Sequence, residues 1–220
     1  MTLPPSSPSP EPLPPPPASA IERLGAPAIA RLTAYGELLA TDGVTRRLIG
    51  PREVPRLWDR HLLNCAAMAE AVPTGARVVD VGTGAGLPGV VLALVREDLS
   101  IVLIEPLQRR CDFLLEAIDQ LRLGERVAVR RGRAEQVAPV GADIVTSRAV
   151  AALDQLAAWC LPHAKVGGVL LAMKGQRAGE ELAAAQPVLR RWGADTDASV
   201  VLAGAGWVEP PVQLVRATRR

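Results

Sequence analysis

The sequence predicts a doubly wound α/β fold, a mostly parallel sheet with helices on both faces, preceded by a small helical cap. Three observations predict it. Between residues 77 and 191, short β-branched runs alternate with segments of helical periodicity. The first of those runs breaks into a glycine-rich loop that leads straight into an apolar helix. The last two candidate strands have no helical pattern between them, which predicts an antiparallel hairpin at one sheet edge.

Residues 1–20 hold nine prolines, several serines and one acidic residue, Glu11. Such a segment buries too little apolar surface to offset its ordering entropy, so a disordered tail is expected. It lacks the basic start and apolar centre of a signal peptide. From 21 to 39 apolar residues recur at helical spacing: Ile21, Leu24, Ile29, Leu32, Leu38 and Leu39. A loop around Asp42-Gly43 follows, and Gly50-Pro51 opens a second helix through Val54, Leu57, Trp58, Leu62 and Met68. The cap is therefore expected over 21–73 and the sheet domain over 74–220. Candidate strands are 77–81, 100–105, 126–130, 142–146, 166–173, 198–202 and 211–217. Candidate helices are 87–96, 107–122, 151–162 and 177–191. A seven-stranded, mostly parallel sheet ending in a hairpin is the methyltransferase variant of the Rossmann-like architecture.

Composition narrows the class. Hydrophobic residues make up 49% and charged residues 22% of the chain, as in ordinary globular proteins. No uninterrupted apolar run is long enough for a membrane span, and a cytoplasmic location is expected. Cys65, Cys111 and Cys160 are scattered without metal-ligand spacing, so reduced thiols and no metal are expected. The net charge of +2 does not by itself imply a nucleic-acid partner. Its distribution is more suggestive. Arg46, Arg47, Arg52, Arg56 and Arg60 precede the glycine loop, and Arg122, Arg126, Arg130, Arg131 and Arg133 follow it. These are either solvated faces or a phosphate-binding surface.

The glycine loop is Asp80-Val81-Gly82-Thr83-Gly84-Ala85-Gly86-Leu87-Pro88-Gly89. Glycine lets backbone turn sharply and approach a ligand, so strand, loop and helix together predict a nucleotide-cofactor cradle. Counted from the strand end, the glycines Gly82, Gly84 and Gly86 run G-x-G-x-G with Asp80 two residues ahead. A dinucleotide frame runs G-x-G-x-x-G from that point and seats a pyrophosphate at the helix N-terminus. Here Leu87 follows instead. Glu105 ends the second strand, where a carboxylate meets ribose hydroxyls in either cofactor class. Ala134 and Glu135, after the third strand, lie where S-adenosylmethionine enzymes grip the adenine. The expected cofactor is S-adenosyl-L-methionine.

Chemistry in open α/β sheets sits beyond the carboxyl ends of the strands. The fourth strand runs to Ser147-Arg148-Ala149, without the motifs of amino-group or cytosine-C5 methylation. The fifth ends at Lys174, one of only two lysines, which brings a second cation to the same rim. Arg148 and Lys174 are candidates for orienting a phosphate or base edge, with Arg133 assisting. No nucleophilic triad or His/Cys cluster is present, and His61 and His163 are isolated.

Arg60-His61-Leu62-Leu63-Asn64, the glycine loop through Leu87-Pro88-Gly89, Ser147-Arg148-Ala149 and Lys174-Gly175 occur in that order. Together they resemble the bacterial RsmG (GidB) family, class I S-adenosylmethionine-dependent methyltransferases acting on a guanine N7 of 16S rRNA. The resemblance covers about residues 50–217. It implicates Gly82, Leu87, Ala134, Glu135 and Arg148 in cofactor binding and draws His61 towards a substrate-side role. The chain departs from the family's usual Asp-Ser at Asn64-Cys65. The implied partner is 16S rRNA in the small ribosomal subunit, met by a monomer. A non-catalytic S-adenosylmethionine-binding RNA module, or action on another RNA, stays open on the residues alone.

Overall fold

The computed structural model describes residues 12–148 and 151–220. Residues 1–11 of the proline-rich tail, and Ala149 and Val150, lie outside them. Seven strands form one sheet: β1 (Arg77–Val81), β2 (Ser100–Glu105), β3 (Val127–Arg131), β4 (Ala142–Arg148), β5 (Ala164–Lys174), β6 (Ser199–Ala203) and β7 (Val212–Thr218). Their order is β3-β2-β1-β4-β5-β7-β6. All pairs are parallel except β5·β7 and β7·β6. The expected hairpin is present, with its second strand inserted inside the first.

Helices α1 (Ala18–Leu24) and α2 (Ala26–Leu38) belong to the cap, as does the short α3 (Leu63–Ala67). The continuous second cap helix expected from Gly50-Pro51 is instead a 3-10 turn (Pro51–Arg56), a π turn (Leu57–Leu62), α3 and a further 3-10 turn (Met68–Ala71). Pro51 and Pro55 lack amide hydrogens, so the early turns have no regular i→i−4 ladder. The sheet is flanked by α4 (Gly89–Val95), α5 (Gln108–Gln120), α6 (Leu153–Cys160) and α7 (Ala178–Arg191). Gly89 through Leu94 of α4 are all buried, as expected for a helix covered on every side.

The described part of the tail departs from the expectation of disorder. Leu13 packs against the core beside Gly36 and Leu62, and the Trp58 indole donates to the Pro14 carbonyl at 2.8 Å. The α1 helix already begins at Ala18. A leucine and the start of a helix supply the apolar contact that proline counting overlooks.

The core lies in two layers. One joins the cap (Leu32, Tyr35, Leu57, Leu62) to β1, β2 and α4, and the other packs β4, β5 and β7 against α6 and α7. The parallel register sets Val81, Glu105 and Arg148 at neighbouring carboxyl ends, where the site forms.

Candidate functional site

Two adjoining clefts open at that edge. The first, of about 560 Å³, is lined by Gly82, Thr83, Gly84, Ala85 and Leu87 of the loop, with Glu105, Arg110 and Arg148. The second, of about 260 Å³, is lined by Gly132, Arg133, Ala134, Glu135 and Trp159. Gly82 and Pro106 border both.

The loop closes most of its own hydrogen bonds. The Gly82 and Thr83 N–H groups donate to the Ile104 carbonyl, at 2.9 and 3.2 Å, and those of Gly86 and Leu87 to the Thr83 carbonyl, at 2.9 and 3.0 Å. Gly84 N–H donates to Glu105 Oε2 at 3.0 Å, and Gly89 N–H to Asp80 Oδ2 at 2.8 Å. A pyrophosphate needs such donors free and convergent. They are engaged here, so the loop offers shape and close approach in place of a phosphate nest.

Beneath it, the buried Tyr35 hydroxyl donates to the Ala85 carbonyl. A Cβ on Gly86, at φ +99°, would stand 2.7 Å from that hydroxyl and 2.6 Å from Val90 Cγ2. Gly86 is therefore a packing position and lines neither cleft, contrary to the expectation that it contacts cofactor. Asp80 also leaves the cleft wall. It is fully buried under the loop, where a Cβ on Gly89 would lie 2.9 Å from its Oδ2. Burial pushes its carboxyl up to about 6, opposed by the Thr83 hydroxyl, the Gly89 N–H and Arg148.

Glu105 lines the first cleft next to Pro106, which borders both. Glu105 Oε1 accepts from Leu107 N–H at 3.0 Å, and Arg110 approaches Oε2 at 3.5 Å. A carboxylate has about four acceptor positions and three are approached here, so capacity for one further hydroxyl remains. Ala134 forms a 3-10 turn with Glu135, and its carbonyl accepts the Nε2–H of buried His163 at 3.0 Å.

Arg148 projects into the first cleft. Its Nη1 donates to His61 Nδ1 at 2.9 Å and approaches the Arg60 carbonyl at 3.4 Å. His61 is only 12% exposed and meets Glu53 Oε2 through Nε2 at 2.9 Å. Both ring nitrogens are thus engaged inside the protein, and the ring meets the cleft through Arg148 instead of lining it directly. Burial, then Arg148, hold its pKa below the ordinary histidine value.

Lys174 is also drawn inward, away from the expected rim position. Its side chain is 7% exposed, and its ammonium pairs with Glu181 at 2.6 Å and donates to the Ala151 carbonyl at 2.7 Å. Glu181 further accepts from Leu153 N–H, so Lys174 secures the segment entering α6 and lines neither cleft. Arg133 is exposed on the second cleft.

The two arginine clusters differ. Arg47, Arg52 and Arg56 are exposed and form no ion pair among the described residues. Arg126 instead donates to the Ala93 and Arg96 carbonyls, and Arg131 to Gln108. Sequence reasoning missed Tyr35, Glu53, Arg110, Trp159 and the cap residues Leu48 and Ile49 on the cleft rim. Arg110 could have been found as the cation five residues beyond Glu105. The others arrive from remote elements.

Among the described residues no cluster of three or more metal-ligating side chains occurs, and no helix is long and apolar enough to cross a membrane.

The family model GidB, described as rRNA small subunit methyltransferase G, matches residues 28–201. Ribosomal RNA small subunit methyltransferase G of Salinispora arenicola is 56% identical over 193 residues, covering 84% of this chain and 79% of that protein. The Thermobifida fusca protein of the same name is 53% identical over 203 residues, covering 92% and 85%. Among solved structures, M. jannaschii TYW2 in complex with AdoMet matches with a TM-score of 0.58 at 20% identity, over 74% of this chain and 78% of that one. A SAM-dependent O-methyltransferase of Thermotoga maritima gives 0.55 at 18% identity, over 71% and 64%. At these identities the structural likeness bears on the fold alone.

Proposed function

The chain belongs to the GidB family, rRNA small subunit methyltransferase G, and from that membership we propose that it transfers a methyl group from S-adenosylmethionine to N7 of a guanine in 16S rRNA. The base and its position come from the family resemblance. The observation that carries the cofactor is the pair of clefts. Glu105 lines the first beside the shared Pro106, Arg148 is fixed in it, and most of the loop's N–H groups are already engaged. That donor set suits an uncharged ribose and an amino-acid carboxylate better than a pyrophosphate.

In this reading Gly82, Gly84 and Leu87 shape the first cleft, and Glu105 holds a ribose hydroxyl. Ala134 and Glu135 enclose the adenine, with Arg133 at the second cleft's mouth. Arg148 supplies the fixed cation for the cofactor's carboxylate and its reacting end. S-adenosylmethionine, when bound, supplies an electrophilic sulfonium methyl. Guanine N7 carries an in-plane lone pair and no proton, so no general base is needed. Neither Asp80 nor His61 is free to serve as one. What remains is alignment, which contributes about 7–11 kcal/mol in well-oriented systems. Arg47, Arg52 and Arg56 are available to phosphates, and the enzyme is expected to work as a monomer in the cytoplasm on the small subunit.

The test is transfer of a tritiated methyl group to small ribosomal subunits from a strain lacking the modification, with calorimetry of S-adenosylmethionine against NAD. Arg148→Ala is expected to abolish transfer. Near wild-type turnover in that variant overturns its assignment, and tight cofactor binding with no transfer favours a non-catalytic RNA module.

A further inference from the structure

A guanidinium on a strand end is useful to a ligand only if something holds it in place. Arg148 is held by a ring that must accept. Guanidinium nitrogens carry only donors, so His61 Nδ1, 2.9 Å away, has to present its lone pair. The neutral ring then carries its proton on Nε2, which faces Glu53 Oε2 at 2.9 Å. The opposite tautomer would set an N–H against the guanidinium and a lone pair against the carboxylate, two repulsions in place of two bonds. The ordering thus runs from Glu53, in the 3-10 turn of the cap, through His61 to Arg148 on β4 and into the cofactor cleft.

We propose that Glu53 is a positioning residue of the site: by accepting the Nε2 proton of His61 it keeps Nδ1 as the acceptor that aims Arg148 into the cleft. The proposal rests on the reading of Arg148 as a cofactor-binding group. The charged groups facing His61 are Glu53 from the turn, Arg148 from β4 and Arg60 on its own segment. Burial and the two arginines disfavour a charged ring, and Glu53 opposes them. At neutral pH the ring is uncharged and the chain of bonds intact. On acidification the ring gains a second N–H and Arg148 loses its acceptor.

The plainer role for Glu53 is its ion pair with Arg60 at 3.2 Å. Arg60 is 53% exposed, and such a pair affects neither a tautomer nor a ligand two residues removed.

The experiment uses the full chain, labelled with 15N, and long-range proton–nitrogen spectra of its two histidines. His163 also carries its proton on Nε2, through the Ala134 carbonyl, and serves as internal reference. In the wild type at pH 7.5 both rings are expected as the Nε2–H tautomer. Glu53→Ala should turn His61 into a tautomer mixture, leave His163 unchanged, and weaken S-adenosylmethionine binding about tenfold, the scale of one oriented charge-assisted bond. Glu53→Gln keeps an acceptor and should hold the tautomer and most of the affinity. Because it removes the charge that raises the His61 pKa, the acid limb of cofactor binding should move to lower pH. Arg60→Ala should change neither the His61 tautomer nor the affinity at pH 7.5.

An Nδ1–H or protonated His61 in the wild type overturns the proposal, as does an unaltered tautomer and affinity in Glu53→Ala. Should Glu53→Ala not fold, an unmoved acid limb in Glu53→Gln overturns it equally. A wild type with the expected tautomer that binds no S-adenosylmethionine overturns the functional reading instead.

Discussion

Asp80 is the residue whose environment conflicts most with its charge. It is fully buried, Oδ1 has no well-formed hydrogen bond, and its pKa is raised to about 6. A carboxyl that holds its proton more tightly in the folded than in the unfolded state costs stability when ionised, and that cost is relieved as pH falls through 6 towards 4. Asp80→Asn keeps an oxygen for the Gly89 N–H and removes the charge. It should stabilise the protein at pH 7 by on the order of 1–3 kcal/mol, with the gain shrinking towards zero near pH 4. Urea unfolding at both pH values checks this, and a gain that does not vary with pH contradicts it. At this scale legibility depended on reach. Gly82, Leu87 and Glu105 were readable because a strand end and its loop fix their location. The roles of His61 and Lys174 were not, because Glu53, Arg148 and Glu181 reach them from other elements.

Among the elements, α4 depends on its neighbours. It has seven residues, too few to be stable alone, and no basic residue in its last turn. Its terminal carbonyls are met from outside: Arg126 donates to Ala93 and Arg96, and Arg31 donates to Leu94 at 2.9 Å. Cations at a helix C-terminus complement both the unpaired carbonyls and the dipole. Arg126→Ala should therefore lower stability by about 1–2 kcal/mol and leave the salt dependence of RNA binding unchanged. Replacing Arg52 or Arg56 should do the reverse, reducing the salt slope by about one while leaving stability within about 0.5 kcal/mol. Denaturant melts and binding at several salt concentrations separate the two outcomes. The strands were legible almost to the residue because β-branched runs bounded by glycine have few alternatives. The turns over 51–71 were not, since prolines inside an apolar periodicity leave the pattern intact while breaking the ladder.

Across the whole molecule, the sequence boundary near residue 73 separates helices from sheet, but the core runs across it. Tyr35, Leu57 and Leu62 of the cap share one apolar cluster with Val78, Leu92 and Leu103. Without the cap, α4 would expose the face it buries there. Heat or urea should therefore unfold the chain in a single transition, with calorimetric and van't Hoff enthalpies equal. Two resolved transitions would mean that the cap folds independently.

Tyr35 and His61 give that shared core a further meaning. Both belong to the cap, which also carries the exposed Arg47, Arg52 and Arg56, and they grip the cofactor loop and Arg148. A load on the cap that alters those grips alters how well the cleft holds its small molecule. Thermodynamic linkage makes the effect reciprocal: the factor by which bound RNA changes cofactor affinity equals the factor by which cofactor changes RNA affinity.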